Sequence, residues 1–447
     1  MDTDVVVFGG GAAGLWVLDE LVRRGLRVVL FEAGRLGTGQ TACCQGIIHG
    51  GLKYTLHGVL TPSARHIREM PGLWRQCLSG RRQPDLSSTL VRSDFCYLWR
   101  TDTLRSRVGM LGAQYGLRVK PRELPPEQRP GVLQSCPGTV ARVDEPVIDP
   151  RSFLTTLAAR HRRRLFRLSP DAVEFQWSGD GRRVHSLRVR PPHGPEPVVV
   201  RCRWVVLAAG AGNGELRRRA GLDPEILQRR PLHMVLLRGP LPRLNGHCVD
   251  GARTRVTVTW AEDGDGKVVW QLGGQVAEDG VRMEPDELVR HARNELQAVL
   301  PRLDLSQVEW ATYRVDRVER ATPGRRRPAA HQILQDGNCL TVWPTKLALV
   351  PQLARDVAER VLAQLAEGSA ERAASDGGRT PTSTHAPAEN QTTPLRPNGP
   401  ATPTDAAPDR PPWSDWPRPE VAQPPWQSVG QWVRLDGPSG QTRRRAA

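Results

Sequence analysis

Three glycines near the N-terminus, Gly9, Gly11 and Gly14, stand in the spacing G-x-G-x-x-G, and Glu32 follows the last of them by 18 residues. That spacing has a chemical use. Gly9 permits a tight turn, Gly11 lets the backbone approach a pyrophosphate, and Gly14 lets a helix pack closely on a strand. A helix starting at such a turn offers free N–H groups and the positive end of its dipole to phosphates. A carboxylate at Glu32 can accept both ribose hydroxyls of an adenosine. It disfavours a 2′-phosphate, so NADP is not expected, while NAD and FAD both remain. The fingerprint occurs once, so no separate nicotinamide domain is expected.

The elements needed to hold this turn are legible around it. Residues 4–8 form a continuous apolar run of the buried parallel-strand type. Leu15, Leu18, Leu21 and Val22 recur at helical spacing, Gly25 stops that helix, and residues 26–32 read as a second buried strand. This is one βαβ unit. Further on, Asp149-Pro150 predicts a helix N-cap with proline at the first position, the helix running to about Arg163. Strands are predicted over 173–177, 184–190 and 198–208, the last entering Ala209-Gly210-Ala211-Gly212. Residues 254–260 and 267–272 flank Glu262-Asp263-Gly264-Asp265-Gly266, a hairpin signal. A helix over 284–300, a strand over 308–318, a final strand over 339–343 and a helix over 351–367 ended by Gly368 complete the pattern. The segment 226–320 reads as mainly antiparallel.

From Glu32 onward the chain reads FEAGRLGTGQTACCQGIIHGGLKY. This segment resembles the D-amino acid oxidase (DAO) superfamily of flavoproteins, and within it the glycerol-3-phosphate dehydrogenase branch, where a similar stretch ends in Ile/Val-His-Gly-Gly-Leu-Arg-Tyr. WVVLAAGAGN at 204–213 is similar to the family's second flavin-contacting strand and turn. GRRRP at 324–328 resembles its late Gly-x-Arg-Pro segment, and VWPTKL at 342–347 sits where the family has a Gly-Gly-Lys-Leu-like turn. The match extends in separated blocks over roughly residues 3 to 366.

The resemblance implies FAD as cofactor and an α/β fold. A Rossmann-like FAD-binding domain of the glutathione-reductase type would take residues 1–80, 141–225 and 321–368. An antiparallel β-sheet substrate domain would take 81–140 and 226–320. The resemblance also implies roles. Gly9, Gly11, Gly14 and Glu32 match the pyrophosphate and ribose positions, and Gln40 and Thr41 fall at the pyrophosphate. Gly46, Ile47 and His49 fall near the isoalloxazine, Val173 near adenine and Gly210 in the second motif. Lys346 and Leu347 precede a helix whose dipole would face the flavin pyrimidine. Five positions depart from the pattern: Pro344-Thr345 replaces a glycine pair, Lys53 stands for arginine, and Cys43-Cys44 replaces Ser/Arg residues.

The expected chemistry is oxidation of a small anionic hydroxy- or amino-substrate by hydride transfer to flavin N5. His49 is the first candidate base, since imidazole titrates near neutrality; a structural contact to flavin or backbone is its competing reading. Tyr54 is the second candidate. Lys53, Arg327 and Lys346 are candidates for holding the anion, although Arg327 also belongs to a run of three arginines. Oxygen, a quinone or a carrier protein would remove the electrons. Flavin attachment through Cys43, Cys44 or His49 is open.

Composition bounds the alternatives. The net charge is +16, but four lysines, Lys53, Lys120, Lys267 and Lys346, leave 59 of the 63 basic residues as arginine. No zinc-finger, winged-helix or RNA-binding signature accompanies this excess, so no nucleic acid partner is expected. The eight cysteines form no CxxC pair, which argues against a zinc site or a disulfide framework. No apolar run approaches membrane-spanning length, and no signal segment is read. A cytoplasmic location follows, with peripheral contact at the inner membrane left open. Residues 369–447 are Pro-rich and without apolar periodicity, so a disordered tail is expected. Trp413, Trp416, Trp426 and Trp432 within it could be docking anchors. A catalytically decayed FAD-binding protein acting through that tail is the rival reading.

Overall fold

The computed structural model describes residues 1–51, 67–101, 121–192, 196–250, 253–376, 415–436 and 441–444. Its first sheet is built from strands β1 (Val5–Phe8), β2 (Val28–Glu32), β3 (Leu165–Arg167), β4 (Trp204–Leu207), β5 (Gln332–Asp336) and β6 (Cys339–Trp343), in the order β5-β6-β4-β1-β2-β3. Every pairing is parallel except β5 with β6. The central strand β1 is buried throughout, as an unbroken run of Val5, Val6 and Val7 requires when both faces are covered.

Helix α1 (Ala12–Arg23) covers one face, with α2 (Met70–Leu78), α3 (Pro150–Arg160) and α4 (Val350–Asp376) beside it. Trp16, Trp74 and Phe153 meet at their interface, with ring centroids 4.8–5.9 Å apart. The Asp149 carboxylate caps α3 by accepting from the Ser152 N–H at 2.6 Å, the predicted cap. The helix stops at Arg160, before the Arg163 expected from periodicity. Helix α4, in contrast, runs through Gly368 to Asp376. A glycine inside a helix costs about 1 kcal/mol, which is not enough to end it.

The run 198–208 is two strands. Val198–Arg201 closes a three-stranded antiparallel sheet with Val184–Val189 and Val173–Trp177, while β4 joins β1. The apolar pattern continues across Cys202-Arg203, so the break leaves no mark in hydrophobicity.

A ten-stranded sheet forms the second layer. Its order is Gln441–Arg444, Val433–Asp436, Glu309–Arg320, Leu227–Gly239, Val268–Gly273, Arg253–Glu262, Gly246–Asp250, Cys96–Arg100, Val140–Val143 and Arg122–Glu123. It is antiparallel apart from the pairing of Gly246–Asp250 with Cys96–Arg100. The predicted hairpin joins Arg253–Glu262 to Val268–Gly273. One face carries Val235, Leu237, Val258 and Leu272 and packs on helix Pro285–Val299 through Leu288, Ala292 and Leu296. The opposite face carries Leu236, Ala261, Val269 and Ala311 at one end and polar residues further along.

Within the segment expected to be disordered, residues 415–436 are packed against the body, so the tail expectation does not extend to them. Trp416 lies against Phe31 and Phe166, and its indole N–H donates to Arg167 O at 2.6 Å. Leu36 and Ala422 exchange backbone bonds with this strap, Leu36 N–H to Glu420 O at 2.7 Å and Ala422 N–H to Leu36 O at 3.0 Å. Trp426 then joins the Leu236 cluster, and Arg238 stacks over Trp432 at 4.3 Å. Trp416 and Trp426 are therefore anchors used within the chain. Trp413 lies outside the described residues.

Candidate functional site

The glycine turn has the geometry its spacing predicts. Gly9 adopts φ +99°, and a Cβ there would meet the Ala208–Ala209 backbone at 2.5–2.7 Å. A Cβ on Gly14 would lie 1.8 Å from Gly9 O, so helix and strand approach too closely for any side chain. Gly11 begins α1 without a side-chain cap, and no acidic residue lies in the first turn to neutralise the dipole. Thr41 Oγ1 accepts from the Ala12 N–H at 3.2 Å, which places Thr41 at this turn. Glu32 closes it: Oε2 accepts from the Gly10 N–H at 2.6 Å and Oε1 from the Gly34 N–H at 2.9 Å. Each oxygen keeps a second lone pair for a ribose hydroxyl. These residues fit the pyrophosphate and adenosine of a dinucleotide.

From the turn, the chain crosses to the second sheet. Gln40 Oε1 accepts from the Val318 N–H at 3.2 Å. Gln45 donates to Gln271 O at 2.8 Å, and Gln271 donates in return to Cys43 O at 2.7 Å and to the Tyr313 hydroxyl. Burial keeps the Tyr313 phenol protonated far into alkaline pH. Burial likewise pushes the thiols of Cys43 and Cys44 up to about 12 and about 11. Neither is a thiolate near neutrality, which argues against attachment of a flavin through sulfur.

Gly46 adopts φ +73°, and a Cβ there would lie 2.0 Å from Ile148 O. Ile47 bridges to Val147 in antiparallel fashion, and Ile48 N–H donates to Pro146 O at 2.9 Å. This pairing carries His49 to Glu145. His49 Nδ1 lies 3.1 Å from Glu145 Oε2, and the Gly50 N–H donates to Oε1 at 2.7 Å. His247, on Gly246–Asp250, has Nε2 3.9 Å from Glu145 Oε2 and Nδ1 2.9 Å from Thr257 Oγ1. The two imidazole centroids are 5.4 Å apart.

At the end of β6, Thr345 holds φ +59° where the resemblance placed a glycine. Arg327 donates to Thr345 O at 2.9 Å, and Lys346 Nζ donates to Ala329 O at 3.0 Å. Both candidates therefore converge on one turn before α4. Arg230 stands directly opposite Arg317 in the sheet register. Burial, and then the charges of Arg230 and Arg327, depress the Arg317 guanidinium's pKa, only partly offset by Glu278. Gly210 has φ +57° beside β4, and Val173 is buried at the start of its strand. Lys53 and Tyr54 lie outside the described residues. Sequence reasoning did not find Glu145, His247, Gln271, Tyr313, Arg230 or Arg317. No motif spacing marks them, because pairing between distant strands brings them in.

A parallel nucleotide sheet with this glycine turn, crossed by a segment that joins it to an antiparallel sheet, defines a two-layer FAD-dependent oxidoreductase. The chain belongs to the DAO family, whose model, described as FAD dependent oxidoreductase, matches residues 4–334. It is 39% identical over 376 residues to the probable FAD-dependent oxidoreductase PA4991 of Pseudomonas aeruginosa, covering 82% of this chain and 92% of that protein. The crystal structure of that protein aligns with a TM-score of 0.71 over 96% of this chain and 98% of the other. The fold also matches glycine oxidase from Geobacillus kaustophilus and FAD-bound L-α-glycerophosphate oxidase from Mycoplasma pneumoniae. Each of these has a TM-score of 0.57 at 16% identity, over 81% of this chain and 95% of theirs. Among the described residues, no helix is long and apolar enough to cross a membrane.

Proposed function

We propose that the enzyme oxidises a small anionic substrate bearing a hydroxyl or amino group on the carbon that loses hydride. FAD, when bound, supplies the acceptor for that hydride at N5. The protein holds the substrate's anion, orients its C–H bond and takes the proton from the hydroxyl or amine.

The observation that carries the anionic reading is the meeting of Arg230, Arg317 and Arg327 beside the Thr345-Lys346 turn. Like charges directly opposite in a sheet are destabilising. The neighbouring acids, Glu319 on Arg230 and Glu278 on Arg317, offset two of the guanidinium groups. Arg327 and Lys346 lie at the same turn, and a carboxylate or phosphate bound there would take charge-assisted bonds from this basic group. Lys53 joins them on the resemblance. His49 serves as base, with Tyr54 the second candidate. Discontinuous assembly of the FAD-binding domain from 1–80, 141–225 and 321–368, with 81–140 and 226–320 over the substrate, is the division this reading uses. That none of the eight cysteines is in a disulfide supports a reduced, cytoplasmic compartment. Oxygen, a quinone at a membrane surface or a carrier protein takes the electrons.

The test is anaerobic bleaching of the purified yellow protein by a panel of hydroxy acids, amino acids and phosphorylated polyols. An anionic member should bleach it, and Arg327→Ala should raise the half-saturating concentration at least about tenfold. Bleaching by uncharged alcohols alone would overturn the anionic assignment. A yellow protein that no panel member bleaches would leave the decayed reading standing.

A further inference from the structure

We infer that Glu145 is the positioning residue of the site, and that its carboxylate sets the tautomer of His49. The inference rests on the reading of His49 as base, but its test does not depend on turnover.

Glu145 is 2% exposed and sits on the short link between Val140–Val143 and Val147–Ile148. Both oxygens are engaged. Oε1 accepts from the Gly50 N–H at 2.7 Å, and Oε2 faces His49 Nδ1 at 3.1 Å, with His247 Nε2 3.9 Å away. A backbone N–H can only donate, so Oε1 must be an acceptor. An ionised carboxylate is an acceptor at both oxygens, so His49 Nδ1 must carry a proton and donate it to Oε2. In a neutral imidazole, that leaves the lone pair on Nε2. The nitrogen turned away from Glu145 is then the one able to take a substrate proton. After transfer, the imidazolium lies against a carboxylate, which favours the charged form.

His247 faces the same carboxylate oxygen from Gly246–Asp250, at a distance beyond a direct hydrogen bond. It is 2% exposed, and its Nδ1 is engaged by Thr257 Oγ1 at 2.9 Å. The titratable groups facing His49 from the packed elements described are thus Glu145, from the link, and His247, from Gly246–Asp250. Their ligand atoms all lie within 4.8 Å of one another, a spacing that two histidines and a carboxylate also use to hold a divalent metal. The hydrogen-bonded reading is favoured by the 3.1 Å approach of Nδ1 to Oε2, together with the Gly50 bond that occupies the other oxygen.

Glu145→Gln separates the possibilities at almost constant shape. The amide has one acceptor atom and one donor atom in place of two acceptors. The Gly50 N–H claims the acceptor, so the amide NH2 faces His49. Nδ1 must then accept, and the proton moves to Nε2.

The experiment is nitrogen-15 NMR of the full-length FAD-loaded protein labelled at histidine, with His49 assigned by the loss of its signals in His49→Gln. In the native protein, Nδ1 should carry the proton. In Glu145→Gln the tautomer should invert, and any substrate found for the enzyme should reduce Glu145→Gln at least about a hundredfold more slowly, the low end of what general base catalysis contributes. A native His49 protonated on Nε2, or the same tautomer in both proteins, overturns the inference. So does a stoichiometric divalent metal, found by elemental analysis of the native protein and absent from Glu145→Gln. The native spectrum alone decides if Glu145→Gln does not fold. Unchanged reduction of His49→Gln by substrate would defeat the base assignment and leave the tautomer result intact.

Discussion

Arg327 donates a hydrogen bond of 2.9 Å to the carbonyl of Thr345, a β-branched residue held in the left-handed region at φ +59°. Such a conformation costs of order 1–3 kcal/mol outside glycine and persists where surrounding contacts enforce it. Ala330 O accepts from Thr345 Oγ1 at 3.3 Å on the other side. The turn that presents Lys346 is therefore clamped between two strands of contact.

Thr345→Gly should relieve this strain at the expense of one long hydroxyl bond. The expected net effect is stabilisation by about 1 kcal/mol, reduced by the entropy glycine adds to the unfolded chain. Urea denaturation measures it, and a fall in the midpoint would show that the strain reading is mistaken.

Gly14→Ala places a methyl group 1.8 Å from Gly9 O, a contact that only movement of the turn can relieve. Gly11→Ala is milder, meeting Thr41 Oγ1 at 3.2 Å. The flavin-to-protein absorbance ratio after gel filtration should therefore fall sharply for Gly14→Ala and less for Gly11→Ala. Equal retention by both variants and the native protein would contradict the assignment of the turn to the pyrophosphate.

Asp19 is fully buried in α1 and meets His161 at 2.9 Å, Arg23 at 2.6 Å and Arg160 at 3.1 Å. Burial works to raise its pKa, but bonds from His161 and Arg23 outweigh it and bring the carboxyl down to about 2. A folded value below the unfolded 3.8 means stabilisation that is present above about pH 4 and is lost as pH falls through 2. Asp19→Asn should cost about 2 kcal/mol at neutral pH and flatten the stability profile between pH 4 and 2. Denaturation midpoints across that window check both; an unchanged slope would place the acid sensitivity elsewhere.

Trp416 joins the strap to the edge of the nucleotide sheet, and Trp426 joins it to the second sheet. Trp416→Ala removes a buried indole and leaves Arg167 O without that donor. It should cost about 3–5 kcal/mol. Because Leu36, paired with the strap, packs over Gly10, flavin retention should fall as well. Thermal unfolding with and without added FAD measures both effects. Native-like retention would show the strap to be independent of the adenosine end.

The sequence by itself determined the nucleotide end. The strands of β1 and β2, the turn from Gly9 to Gly14 and the acceptor at Glu32 are local in the chain, and Gly14 is forced by Gly9 O within the same βαβ unit, although Gly9 also meets the Ala208–Ala209 backbone and Gly11 the Thr41 hydroxyl. The hairpin at residues 262–266 and the cap at Asp149 were legible for the same reason. Glu145 and His247 were not, since 96 and 102 residues separate His49 from Glu145 and Glu145 from His247. Strand register alone sets them beside one another. The division of 198–208 between two sheets, and the docking of Trp416 and Trp426, were likewise decided by which surfaces stood open to receive them. Hydrophobicity along a chain reports that a residue will be buried; it carries no record of the partner it is buried against.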